Sequence, residues 1–175
     1  MTAFTSFTRA LSALLLAALV ATACGGGGSS EADQEYVDAI MASGAEEFPP
    51  GVDVECIAEG MVSALGGASG IEDKYGLTPA AFAEDIEVEM QEDDARKVVD
   101  NMWKCDGLSD SFYSDVAGSD DADTIGCLKE NISEDNVKTL LASSFMGDSG
   151  EALEASIVDD FESEIIAAAG ACGLG

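Results

Sequence analysis

Val54-Glu55-Cys56-Ile57-Ala58-Glu59-Gly60-Met61 and Ile125-Gly126-Cys127-Leu128-Lys129-Glu130-Asn131-Ile132 read as two versions of one pattern. Val54, Ile57 and Met61 stand at i, i+3 and i+7, and so do Ile125, Leu128 and Ile132. That spacing lines one face of a helix, with a cysteine set beside the apolar stripe. A second alignment reinforces the first. Counting back from Cys105 and Cys172, Val98-Val99 falls on Ile165-Ile166, and Glu92-Asp93 on Asp159-Asp160. Each half thus reads as an opening helix, a cysteine-bearing helix, a middle segment and a final helix ending in cysteine. The halves are 31–107 and 108–175.

Working outward, nearly every other stretch is helical in period. Tyr36, Val37, Ile40, Met41 and Phe48 form a stripe closed by Pro49-Pro50-Gly51. Gly66-Gly67 should stop the Cys56 helix, and Gly66-Gly-Ala-Ser-Gly70 reads as a turn. Thr78 is a good N-cap before Pro79, with Leu77 placed to staple onto Phe82, followed by Ile86 and Met90. Asp93 or Asp94 is expected to cap a helix carrying Ala95, Val98, Val99, Met102 and Cys105, with Gly107 ending it. Phe112, Tyr113 and Val116 mark a short helix. Ser133 should cap the helix of Val137, Leu140, Leu141 and Phe145. Ser149 should cap the last, with Leu153, Ile157, Phe161, Ile165, Ile166, Ala169 and Cys172 along it. No run alternates with period two, and no Asn-Gly or Asp-Gly turn joins two β-like segments. The expected fold is all-α: two tandem disulfide-tied helical repeats packed as one small helical domain.

Cys56, Cys105, Cys127 and Cys172 permit three pairings. The duplication selects Cys56–Cys105 and Cys127–Cys172; the rival joins Cys105 to Cys127 and Cys56 to Cys172. A bridge closing a loop of about 50 residues restricts the unfolded chain by about 4 kcal/mol in the entropic account. Such help matters where alanine, methionine and glycine supply much of the core. Zinc is opposed by the absence of any CxxC and of any histidine.

The fifth cysteine, Cys24, has a different setting. Arg9 precedes an apolar stretch from Leu11 to Val20, then come the small residues Ala21-Thr22-Ala23, then Cys24 and a Gly/Ser run to Ser30. The stretch is far shorter than the roughly 20 residues of a membrane-spanning helix. It resembles a bacterial prolipoprotein signal, although Ala21 stands where such signals usually hold leucine. The resemblance implies a signal peptide over residues 1–23, lipidation (palmitate and diacylglyceryl) at Cys24, and a tether over 24–30. It places the chain on the extracytoplasmic face of the cell membrane, or in the exterior if Cys24 is not lipidated. Tyr75-Gly-Leu-Thr-Pro-Ala-Ala-Phe82, the Cys-Ile-Ala helix and Val98-Val99-Asp100 leading to Cys105 also resemble a loose group of actinobacterial envelope proteins. Those are small, acidic, helical lipoproteins, and the likeness implies location and fold but no activity.

Several classes of chemistry are missing. Without histidine there is no Ser-His-Asp triad, Cys-His pair or HExxH site. No serine stands three positions before any lysine, and no P-loop, dinucleotide fingerprint or GxSxG elbow occurs. The expectation is therefore no catalytic residue, no cofactor and no metal ligand. Thirty-five acids against seven bases give a net charge of −28, which repels nucleic acid and anionic headgroups. The acidity suits solubility, a salty habitat, loose cation accumulation or a cationic partner. Acid pairs such as Glu84/Asp85 and Asp159/Asp160 read as solvated helix faces. Asp120-Asp121-Ala-Asp123-Thr-Ile-Gly126 superficially resembles a calcium loop, but Ile125 and Ile132 stand where oxygen ligands are required. A helix N-cap cluster explains these acids better. Trp103 and the methionines sit at core spacing, and the sequon at Asn131-Ile-Ser133 is incidental in a bacterial chain. The functional expectation is a lipid-anchored, non-enzymatic envelope protein that binds an unknown protein or small molecule. The alternatives are a carboxylate-based hydrolase or lyase, and a small-solute or divalent-cation binder.

Overall fold

Asp53 starts the helix that the Cys56 motif implies: its carboxylate accepts from the Cys56 N–H at 3.0 Å. The computed structural model describes residues 30–44, 48–82 and 89–174. The leader, Cys24, most of the tether, Glu84/Asp85 and Ile86 lie outside these residues, as does the side chain of Phe82. The described chain is helical throughout: α1 (Glu31–Gly44), α2 (Val54–Ala64), α3 (Gly67–Tyr75), α4 (Pro79–Phe82), α5 (Glu92–Met102), α6 (Leu108–Ala117), α7 (Ala122–Asn131), α8 (Glu134–Ser144), a 3-10 turn (Gly147–Gly150) and α9 (Glu151–Ala171). No strand occurs among the described residues.

Disulfides join Cys56 to Cys105, with Cα atoms 5.7 Å apart, and Cys127 to Cys172, at 5.8 Å. This is the pairing that the duplication selects. In each half a cysteine on the second helix meets one just beyond the end of the last. A second correspondence, in a register different from the one that matches α2 to α7, pairs α2 with α8. Asp53 and Ser133 cap them, Ile57 and Val137 are buried one turn in, and Leu65 and Phe145 end them with nearly the same dihedrals. Gly67 and Gly147 then follow with positive φ, at 75° and 55°.

Two apolar clusters form the interior. The first gathers Tyr36, Val37, Val62, Leu65, Ile71, Val98 and Val99, with Ala142 and Met146 entering from the second half. The second gathers Tyr113, Leu128, Ile132, Val137, Phe161 and Ala168, and Trp103 packs on it from the first half. Leu141 touches both clusters. A backbone hydrogen bond of 2.8 Å from Met90 N–H to the Phe145 carbonyl also joins the halves.

Five local expectations need correction, two of them because a distant residue outcompetes a neighbouring one. The Gly66–Gly70 stretch is not a turn; α3 begins at Gly67, because Asp33 on α1 accepts from the Ala68 N–H at 2.6 Å and caps it from across the fold. Those amide bonds, with help from Ser30, hold the Asp33 carboxyl below its ordinary value. Neither Asp93 nor Asp94 caps α5; Gln91 is the N-cap, and Asp94 turns inward. The helix of Cys105 ends at Trp103, and Gly107 instead opens α6 with φ 80°. Ser149 lies in the 3-10 turn, its hydroxyl donating to the Met146 carbonyl at 2.6 Å, and α9 starts after Gly150 without a side-chain cap. Ile166 points to solvent at 73% exposure, while its neighbour Ile165 packs on the second cluster.

Candidate functional site

Pro49-Pro50-Gly51-Val52 forms one wall of a cleft where the two halves meet. The turn is fixed at its end, since Asp53 N–H donates to the Asp106 carbonyl at 2.9 Å. Gly107 lies so close that a Cβ there would stand 2.2 Å from the Gly51 carbonyl oxygen. The opposing wall is α6, which turns Phe112, Tyr113 and Val116 to the core and Asp110, Ser111, Ser114 and Asp115 to the cleft. Trp103 and Phe112 meet edge to face at 6.0 Å and hold α6 in place. Asp120 and Ile125 complete a hollow of 340 Å³. A second hollow of 390 Å³ adjoins it, sharing Asp110, Asp120 and Ile125 and adding Ala122, Gly126 and Lys129. Ser114 donates to Asp120 at 2.6 Å, and Lys129 pairs with Asp110. Both walls start beside the first disulfide, since Val52 and Gly107 flank Cys56–Cys105, and on the closing side Ile125 and Gly126 lead into Cys127–Cys172.

Of the acidic run Asp120–Asp123 only Asp120 lines this cleft, and the run forms no calcium loop. Asp121 is the N-cap of α7 and accepts from the Thr124 hydroxyl at 2.8 Å and its N–H at 2.9 Å, bonds that hold its carboxyl below the ordinary range. Ile132 is buried in the second cluster. Among the described residues no group of three or more carboxylates or thiols converges on a point that could hold a metal ion.

Among the described residues one carboxylate is buried, and it stands elsewhere. Asp94, 3% exposed, accepts from Lys74 Nζ at 2.9 Å, Tyr75 Oη at 2.7 Å and Lys97 Nζ at 3.4 Å. Burial alone would raise its pKa, but the bonds from Lys74, Tyr75 and Lys97 outweigh it and hold the carboxyl below its ordinary 3.8. Burial and the donated bond to Asp94 push the Tyr75 phenol up to about 12. The cluster ties α3 to α5, and its one carboxylate is matched by two lysines and a phenol. A third hollow of 290 Å³ lies between α5 and α8, lined by Arg96, Asp100, Asp135, Lys138 and Thr139. Its cations are engaged: Arg96 with Glu92 at 2.9 Å, and Lys138 with Glu134 at 2.7 Å and Asp100 at 3.3 Å.

Of the candidate site residues singled out from sequence, only Asp120 and Ile125 line the cleft, while the four bridged cysteines lie behind its edges. Asp159 and Asp160 stay on the solvent face of α9. Neither Asp94 nor the cleft itself was read from the sequence. The Pro49-Pro50-Gly51 break and the acidic face of α6 were the signals for the cleft, and they gain meaning only once the halves are docked. Among the described residues no helix is long and apolar enough to cross a membrane. Comparison with known proteins finds no matching family, no similar curated protein and no similar solved structure.

Proposed function

We propose that this chain is a lipid-anchored, non-enzymatic binding module of the bacterial cell envelope, tethered at Cys24 and presenting the cleft between its halves. The leader and Gly/Ser run around Cys24 support the anchor, and two disulfides are in keeping with an oxidising exterior. The observation that carries the binding reading is the cleft whose walls both start beside the Cys56–Cys105 bridge and whose closing side at Ile125 adjoins Cys127–Cys172. A binding site gains affinity when its walls are already in place before the ligand arrives.

The carboxylate-hydrolase alternative requires one carboxyl kept protonated by burial beside one left ionised. Asp110, Asp115 and Asp120 are all exposed, and the buried Asp94 is held ionised, so no observation favours that chemistry. The decisive experiment on the anchor is expression in a bacterium fed labelled palmitate, followed by mass spectrometry of the amino-terminal peptide. The label is expected on Cys24, in the membrane fraction, and lost in Cys24→Ala. An unmodified Cys24 thiol in the mature protein overturns the anchor.

A further inference from the structure

We propose that the groove formed by the two adjoining hollows docks an extended basic segment of another polypeptide, with a lysine or arginine side chain seated between Asp115 and Asp120. The inference deepens the binding-module reading and rests on it.

Three observations point to this occupant. The first is chemistry of the lining. Pro49 and Pro50 have no N–H, the three aspartates are acceptors only, and Lys129 is the only basic residue lining either hollow among the described residues. Lys129 is already engaged by Asp110 and the Ser114 hydroxyl by Asp120, so a group entering beside Asp115 and Asp120 meets mostly acceptors, with Ser111 the remaining hydroxyl of that lining. The second is shape. The hollows lie side by side and open to solvent, sharing one rim, which suits a chain laid along them rather than a small molecule enclosed on all sides. Pro49, Pro50, Val52 and Ile125 supply apolar surface for the hydrocarbon arm of lysine or arginine, below the charged head. The third is charge complementarity. The net charge of −28 draws a basic segment toward the protein from a distance, and the groove then gives it register. The spacing of the carboxylates also separates this occupant from a bare divalent ion, for which they do not converge.

Calorimetry on the purified full chain tests the proposal, with an eight-residue peptide of alternating lysine and alanine as probe. Spermidine, calcium chloride and a glutamate–alanine peptide are the comparisons, all at one ionic strength. The expected result is saturable one-to-one binding of the lysine peptide, weakened about tenfold or more by Asp115→Asn with Asp120→Asn, because each removes a charged acceptor. The pair Asp159→Asn with Asp160→Asn makes the same change in net charge on α9 and should leave affinity within about twofold, since those acids lie outside the groove. Ser111→Trp fills the groove at constant charge and should also abolish binding, with melting curves checking that each variant folds. Equal weakening by the cleft and α9 pairs, unaltered binding by Ser111→Trp, or no saturable binding at all overturns the proposal. So does tighter binding of spermidine or calcium than of the peptide. Because palmitate labelling reads the anchor independently, loss of the docking inference leaves that part of the reading intact.

Discussion

Asp94 and the aspartates of the cleft are the same side chain in opposite circumstances. Asp94 is buried and holds three donors, two of them lysines, in a chain with very few cations. Asp110, Asp115 and Asp120 stand in water around an open groove, with one lysine among them. A buried carboxylate must be matched or it destabilises the fold, whereas an exposed one keeps its hydration and its capacity to accept. The difference teaches where the chain puts its scarce positive charge. Arg96, Lys97 and Lys138 cluster on α5 and the facing helix α8, with Lys74 reaching across from α3, and this leaves the cleft between Pro49–Val52 and α6 with three aspartates and one lysine.

The contrast can be broken most forcefully at the disulfides. Replacing Cys56 and Cys105 by serine is expected to lower unfolding free energy by about 4 kcal/mol, and the Cys127/Cys172 pair by a similar amount. Loss of the first bridge frees the start of both walls and loss of the second frees the Ile125 side, so peptide affinity should fall along with the melting temperature in each case. Gly107→Ala is the next largest. Its φ of 80° and the 2.2 Å approach to the Gly51 carbonyl leave no room for a methyl group, so a loss of about 2–3 kcal/mol is expected in denaturant unfolding. Then comes the direct comparison of carboxylates. Asp94→Asn should cost about 2 kcal/mol, because charge-assisted bonds are lost at a buried position, while Asp115→Asn should stay within about 0.5 kcal/mol. Equal effects at the two positions would erase the distinction between them.

Titration sharpens the same comparison. The Asp94 carboxyl is held below its ordinary 3.8 in the folded chain, so its contribution is complete above that value and is lost as pH falls through the lower, folded one. The stability gap between the native chain and Asp94→Asn should therefore be full near neutrality and close in strong acid. At the other end, the Tyr75 phenol is raised to about 12, so its stabilising share is present below the ordinary 10.0 and disappears as pH rises toward the folded value. Ultraviolet titration of phenolate should find Tyr75 ionising late. The smallest effect is that of salt. Screening should raise the melting temperature by a few degrees, because self-repulsion at a net charge of −28 is relieved faster than the few ion pairs are weakened.

The helices were legible wherever a residue acts on its own neighbours. Ser133 caps α8 by accepting from the Asn136 N–H three residues on, and Asp121 does the same for α7 at Thr124, both visible in local spacing. The disulfide partners were legible because the two halves could be laid over each other. What stayed hidden was whatever depends on a partner far along the chain. Glycines suggested a turn at Gly66–Gly70, and only the approach of Asp33 makes a helix start there. Asp94 read as a cap because nothing in its neighbourhood reveals Lys74 and Tyr75, and the side chain of one α9 isoleucine faces water because a single face of that helix is covered. The cleft was illegible for the same reason, being made by the docking of Pro49–Val52 against α6.

The sharing of α5 and α8 between the two interiors has a consequence for inheritance. A doubled gene segment can ordinarily shed one copy, because each carries its own filling. Here the first copy is stuffed with Ala142 and Met146 from the second, and the second leans on Trp103 from the first. Neither half, cut free of the other, would keep a filled interior, so the two stand or fall as one piece.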